Sequence, residues 1–314
     1  IREALGGDLG AVFCRGYGIT DQGHFEGRSI PHLEDGIVTL ANRAGVDPAR
    51  LAALLEQGRR QLLAVREKRT RPHRDDKILT GWNGLAIAAL ARAGAHLEEE
   101  RFLRAARRSA DFVLRNLRDR RGRLLRRYRR GEAAIPAFLE DYAFFAWGLL
   151  ELYRAEYETA HLKAARELVE QMEDLFSDGR GGYFDTGADA ERVLVRGQSL
   201  QDGAIPSGAS VAALVLLRLG RLTAESALNE RGERLLKASL PRITRFPTAY
   251  SQFLMALDVA LGPATEVVLA SDEEHTLAEM REVLRRRFLP TTEVLLYRRG
   301  DGELEKLAPA VAGK

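Results

Sequence analysis

Apolar positions recur along this chain at two densities, and the two alternate. Residues 80–94 are small, apolar and nearly uncharged, the pattern of a helix buried on most sides. Residues 100–117 follow with Phe102, Leu103, Ala106, Ala110, Val113, Leu114 and Leu117 at three- and four-residue spacing and Arg between them, which predicts an amphipathic helix. A turn at Gly122 and an extended stretch over 124–128 close this round. A second round has a buried helix over 140–155, an amphipathic one over 160–176, a turn over 177–182 and an extended stretch over 183–186. Trp82 and Tyr142 stand 60 residues apart, as do Gly122 and Gly182. A third round places helices at 207–219 and 225–238, and 248–260 begins a fourth. Upstream, 48–69 reads as a long amphipathic helix and 21–25 as a turn followed by an extended stretch.

Such a repeat cannot cover its apolar face alone, so neighbours must stack. No polar capping helix of an open solenoid is present, and the inner helices begin with polar and aromatic clusters. The expectation is therefore an all-α fold, an incomplete α/α toroid with inner helices around an axis and amphipathic ones outside. A stack of separate helical bundles is the alternative. From residue 264 the period changes: Val267–Ala270 as a buried strand, 272–288 as a helix and Val294–Tyr297 as a second strand predict a βαβ unit. The expected division is 1–263 for the partial barrel and 264–314 for a small unit packed on it. This unit lacks a glycine-rich phosphate loop.

In a toroid, the N-termini of the inner helices surround one mouth, where exposed N–H groups and the helix dipole favour polar ligands. Four clusters fall there: Asp75 to Asn83, Glu140 to Tyr142, Gln201 to Ser210, and Thr248 to Ser251. Arg129, Tyr183, Asp185 and Arg196 join them from loops. Aromatic rings flanked by carboxylates and amides suit a sugar, with its C–H faces and paired hydroxyls. Two carboxylates across a mouth could act as general acid and base at a glycosidic bond. Asp76 and Asp141 are the candidate catalytic pair. Asp75, Trp82, Asn83, Glu140, Tyr142, Tyr183, Asp185, Asp202, Ser207 and Ser210 are the candidate substrate contacts. Competing structural roles are plain: Thr80 and Ser207 suit N-caps, and Glu140 and Asp141 suit a first turn.

Composition narrows the chemistry. The 314 residues are 45% hydrophobic, enough for a large core, and contain no apolar run of membrane-spanning length. A single cysteine, Cys14, excludes a disulfide framework or a cysteine-based metal site within this chain. The six His show no HxH or HExxH spacing, so no metal or other cofactor is expected. Thirteen Arg against two acids lie within 101–130, yet the net charge is only +3. That stripe reads as a solvated helix face, since base-stacking aromatics are sparse there; no nucleic-acid partner is expected. No basic, apolar leader opens the chain, and a cytoplasmic protein without membrane contact is the expectation. Ile1 in place of Met points to a preceding segment.

Several of these stretches also carry a resemblance. The runs from Asp75 to Leu85, Leu139 to Phe144, Gly181 to Thr186 and Asp202 to Gly208 resemble signature stretches of the thioredoxin-domain-containing family related to spermatogenesis-associated proteins. Phe25-Glu26-Gly27 and Ile1-Arg2-Glu3 fit as well. The resemblance implies a thioredoxin-like domain followed by an (α/α)6 barrel similar to N-acylglucosamine 2-epimerases and six-hairpin glycosidases. Only the barrel portion is matched, without its first helices. It implies a saccharide-like small molecule in the barrel mouth, and the thioredoxin-like domain of the same polypeptide as partner. The related epimerases use histidines at the mouth, where this sequence has acids, Trp, Tyr and Ser. Hydrolase- or epimerase-like processing of a carbohydrate is one expectation, and a non-catalytic module serving the redox domain is the other.

Overall fold

A computed structural model describes residues 1–191, 193–287, 289–312 and 314. The chain divides into two compact units, Ile1–Asp75 and Asp76–Lys314. The division by contacts falls after Asp75, and residues 264–314, expected as a small unit packed on the barrel, share one core with the helices before them.

The first unit contains α1 (Arg2–Leu5), α2 (Gly7–Gly16), α3 (Ile37–Ala44) and α4 (Pro48–Glu67). Helix α4 starts where Asp47 accepts a hydrogen bond from the Arg50 N–H at 2.9 Å and Pro48 presets the first turn. Phe13, Leu51 and Leu55 form its small core with Leu5 and Ala41. Where an extended stretch is expected at 21–25, a single bridge joins Phe25 to Arg28.

The second unit realises the alternation of the sequence. Four helices, α5 (Thr80–Leu97), α7 (Leu139–Glu156), α9 (Gly208–Thr223) and α11 (Ser251–Leu261), pack each on the next. Between them in the chain come α6 (Glu100–Asn116), α8 (Thr159–Phe176) and α10 (Ser226–Ile243), each against its hairpin partner. Helix α9 is buried at nearly every position, whereas α6 buries only Ala106, Ala110 and Val113. The all-α, α/α-hairpin architecture read from the sequence is thus the one observed, as three and a half successive hairpins. Helices α5 and α7 meet backbone to backbone. A Cβ on Gly84 would lie 2.4 Å from the Phe144 carbonyl carbon, and one on Gly148 would lie 2.6 Å from the Gly84 oxygen.

The repeat extends to the loops. Arg118 bridges Leu124, and Ser177 bridges Tyr183. In the first loop Asp119 accepts from the N–H groups of Arg121 and Arg123; in the second Asp178 accepts from those of Arg180 and Gly182. The second loop goes no further than its bridge, so 183–186 is not a strand. The first continues into a three-stranded antiparallel sheet of β1 (Ile78–Leu79), β2 (Leu125–Arg129) and β3 (Glu132–Pro136). Arg130 and Gly131, both at positive φ, make the two-residue turn between β2 and β3.

Strands β4 (Thr265–Ala270) and β5 (Thr292–Tyr297) pair in parallel, joined by α12 (Glu274–Arg285), and α13 (Gly302–Leu307) follows. Every residue of β5 is buried. It is fastened to the helices by Arg218 of α9, which binds Glu293 of β5 at 2.6 Å and Glu151 of α7 at 2.5 Å, all three buried. Among the described residues no helix is long and apolar enough to cross a membrane.

Candidate functional site

The starts of the four inner helices lie together because two carboxylates tie them. Asp141, in the first turn of α7, accepts from the Gly81 N–H of α5 at 2.9 Å through one oxygen. Its other oxygen accepts from the Phe138 N–H at 2.9 Å and from Arg126 of β2 at 3.0 Å. Asp202 repeats the device between α9 and α11. One oxygen accepts from the Ser207 N–H at 2.9 Å and the Ser210 hydroxyl at 3.0 Å, the other from the Gln252 N–H at 2.8 Å. Between the two junctions, α9 lies so close to α7 that a Cβ on Gly208 would come 2.8 Å from the Glu140 nitrogen. The clusters near 80, 140, 207 and 251 therefore share one end of the helix row, as the toroid reading requires.

Most of the predicted contacts at this end are occupied by the protein itself. The Asp141 side chain is only 3% exposed, and burial pushes its pKa up against the pull of the Phe138 and Gly81 N–H groups and the Arg126 charge. Ser207 caps α9 by accepting from the Ser210 N–H. Asn83 spans α5 and α6, donating to the Leu79 carbonyl at 2.8 Å and accepting from the Ser109 hydroxyl at 2.9 Å. Tyr142 is fully buried edge-on to Phe176; its hydroxyl accepts from the Leu124 N–H and donates to Gln171, and burial raises its pKa. Asp185 accepts from the N–H and hydroxyl of Ser199, while its carbonyl accepts from the Leu139 N–H at the start of α7. Tyr183 donates to Glu173 at 2.6 Å beside a cavity of about 260 Å³ shared with Arg231 and Arg234, so it faces the outer helices α8 and α10.

Three predicted residues remain open to solvent there. Trp82 is 62% exposed on the first turn of α5. The Glu140 side chain is 34% exposed and binds Arg126 at 2.9 Å. Asp76 pairs with Arg129, which holds its carboxyl below the usual range. Asp75 is exposed as the last residue of the first unit. The two acids proposed as a pair, Asp76 and Asp141, are held by different arginines of β2. Arg126 and Arg129 differ in parity along β2 and so project from opposite faces of the sheet, taking Asp141 to one and Asp76 to the other.

Arg126 is the site residue that sequence reasoning passes over. It stacks on the Phe138 ring at 4.4 Å while holding both Glu140 and Asp141. Burial pulls its pKa down, but the two carboxylates outweigh that and raise it. Its signal was present in the alternation of 125–129, hidden inside the Arg stripe. Gln252 was also missed; its buried side-chain nitrogen has no hydrogen-bond partner among the described residues. Elsewhere in the stripe Arg107, Arg115, Arg118, Arg123 and Arg127 all pair with carboxylates. Among the described residues no group of three or more His, Cys, Asp or Glu is placed to hold a metal ion.

Fold and site together define a helical α/α-hairpin protein with a polar end formed by inner-helix N-termini. No family model matches the chain. Over 286 residues, 84% of its length, it is 33% identical to human spermatogenesis-associated protein 20, and 32% identical to the rat protein over a stretch of the same length. An uncharacterized protein of Caenorhabditis elegans is 31% identical over 259 residues. The resemblance carried by the sequence motifs thus stands as homology to spermatogenesis-associated protein 20. The chain spans about a third of the length of these relatives, 36% of the human one. Among solved structures, it is similar to cellobiose 2-epimerase from Spirochaeta thermophila, with TM-score 0.44 and 17% identity over 52% of this chain and 43% of that one. An α-mannanase from Bacteroides thetaiotaomicron gives TM-score 0.45 and 16% identity, over 55% and 47% of the two chains.

Proposed function

We propose that the inner-helix end of the second unit binds a saccharide-like ligand, with Trp82 as stacking platform and Glu140 with Arg126 as the polar contacts. The observation that carries this is the convergence of the four inner-helix N-termini, with an exposed indole and a half-open ion pair left over after capping. A neutral, hydroxyl-rich molecule fits such a place, because a ring face covers Trp82 while hydroxyls exchange with the Glu140–Arg126 pair. Asp141 acts here as a positioning residue, holding Arg126 and the start of α5. Binding is favoured over hydrolysis, since Asp141, Asp185 and Asp202 are committed within the protein and Asp76 stands on the other face of β2.

A glycan array followed by titration of the strongest binder tests this. Trp82→Ala and Glu140→Gln are each expected to weaken binding by about tenfold, or 1.4 kcal/mol. No glycan binding, or binding indifferent to both changes, overturns it; release of a product from the bound glycan restores the processing enzyme instead. A second reading, a module that docks a thioredoxin-like domain, is favoured by the consecutive exposed apolar residues Val193, Leu194 and Val195. It predicts that Leu194→Ser weakens a pull-down of that domain and leaves glycan binding unchanged.

A further inference from the structure

At the opposite end of the helix row lies a cavity of about 380 Å³, between the last turns of α5 and α7 and the α12–β5 segment. Its volume falls at the lower end of the range for small-molecule sites, about 300–1,000 Å³. One wall is apolar, with Leu103, Tyr157, Leu289 and Val294, and the remainder is charged. Five guanidinium groups line it against four carboxylates. Each of the four carboxylates that line it already has a cation: Glu151 binds Arg218, Glu100 binds Arg107, and Glu98 and Glu282 both bind Arg285. The guanidinium groups are less fully used. Arg281 and Arg285 are paired, but among the described residues Arg154 donates only to the Leu289 carbonyl at 2.7 Å, and it and Arg92 act on Glu151 through charge alone. Arg92 and Arg287 have no side-chain hydrogen bond or ion pair among the described residues.

We propose that this cavity binds a small phosphate monoester with a partly apolar body. Arg92, Arg154 and Arg287 take the phosphate, and Tyr157 and Leu289 cover the body. A dianion matches guanidinium groups that have no ion pair among the described residues, and their planar forks engage phosphate oxygens in pairs. Glu151, which lines the cavity, is held by the buried Arg218 that also binds Glu293, so α7 and the α/β segment are tied together beside the site. Binding at this end is independent of the saccharide reading, because no residue is shared.

Calorimetric titration of the full chain with phenyl phosphate, inorganic phosphate and benzoate tests the proposal. Phenyl phosphate is expected to bind at least about tenfold more tightly than either of the others, equivalent to 1.4 kcal/mol. The double variant Arg92→Gln with Arg287→Gln, both exposed and outside any ion pair, is expected to keep its melting temperature and lose at least about tenfold in affinity. Trp82→Ala is expected to change nothing here, which separates this site from the mouth. Absent binding of phenyl phosphate, benzoate bound equally well, or an unaffected double variant would each overturn it.

Discussion

Asp141 and Asp202 address one problem at two junctions. The first N–H groups of an α-helix have no partner inside it, and packing helix starts side by side removes the water that would serve them. A carboxylate set between two helix starts satisfies both. Removing Asp141 leaves the Gly81 and Phe138 N–H groups and one arm of Arg126 unanswered, and a buried pair broken on one side costs about 3–5 kcal/mol. Asp141→Ala is therefore expected to lower the melting temperature by about 6–20 °C, at about 2–4 °C per kcal/mol for a protein of this size, as scanning calorimetry would show. The two acids of the supposed catalytic pair also differ in their titration. Burial raises the Asp141 pKa, so its linked stability is present below the unfolded carboxylate value near about 4 and lost as pH rises through its folded one. Asp76, lowered by Arg129, does the reverse, losing its contribution as pH falls through its folded value. Carboxyl-detected NMR titration should find Asp76 below and Asp141 above the usual range, and Arg129→Gln should bring Asp76 back up while leaving Asp141 in place.

At the scale of elements, the crossing of α5 and α7 depends on hydrogen in place of a methyl group. Gly84→Ala forces a Cβ into the Phe144 carbonyl, and backbone cannot swing away as a side chain would. Overpacking of this kind costs about 3 kcal/mol, readable as an earlier urea midpoint at unchanged slope. The inner and outer helices were legible in the sequence because burial on most sides and burial on one face leave different periodicities, as in 140–155 against 160–176. Strand β3 was not, since Glu132, Ala133, Ala134 and Pro136 carry no strand preference; it forms because Arg130 and Gly131 turn the chain back onto β2. The candidate site was legible as a place but not as a set of roles. Polar residues at helix starts mark a mouth and a cap alike, and only the partners of Ser207, Asp202 and Asn83 reveal them as capping and bridging groups. Arg126 was illegible for the converse reason, one bridging cation among thirteen arginines.

For the molecule as a whole, the question is which cut through the chain leaves cores intact. The first unit keeps Phe13, Leu51 and Leu55 to itself, and the second has a core running from Ile87 to Val311. A break after residue 75 separates the two sets. A break after residue 263 removes β5, which is buried along its length and in contact with α9, and takes Glu293 from Arg218. The buried guanidinium would then hold Glu151 alone, and the apolar surface of α9 beneath β5 would meet water. A fragment of residues 76–314 is accordingly expected to be soluble and to unfold in one cooperative step. A fragment of residues 1–263 is expected to aggregate or to melt at least about 6 °C lower, from a loss of about 3–5 kcal/mol at the broken ion group alone. Replacing Glu151, Arg218 and Glu293 together with apolar residues of like volume should spare the full chain most of that loss, because nothing charged is left stranded. If the shorter fragment folds as well as the longer one, the α/β segment is an appendage and the helices do not depend on the shared core.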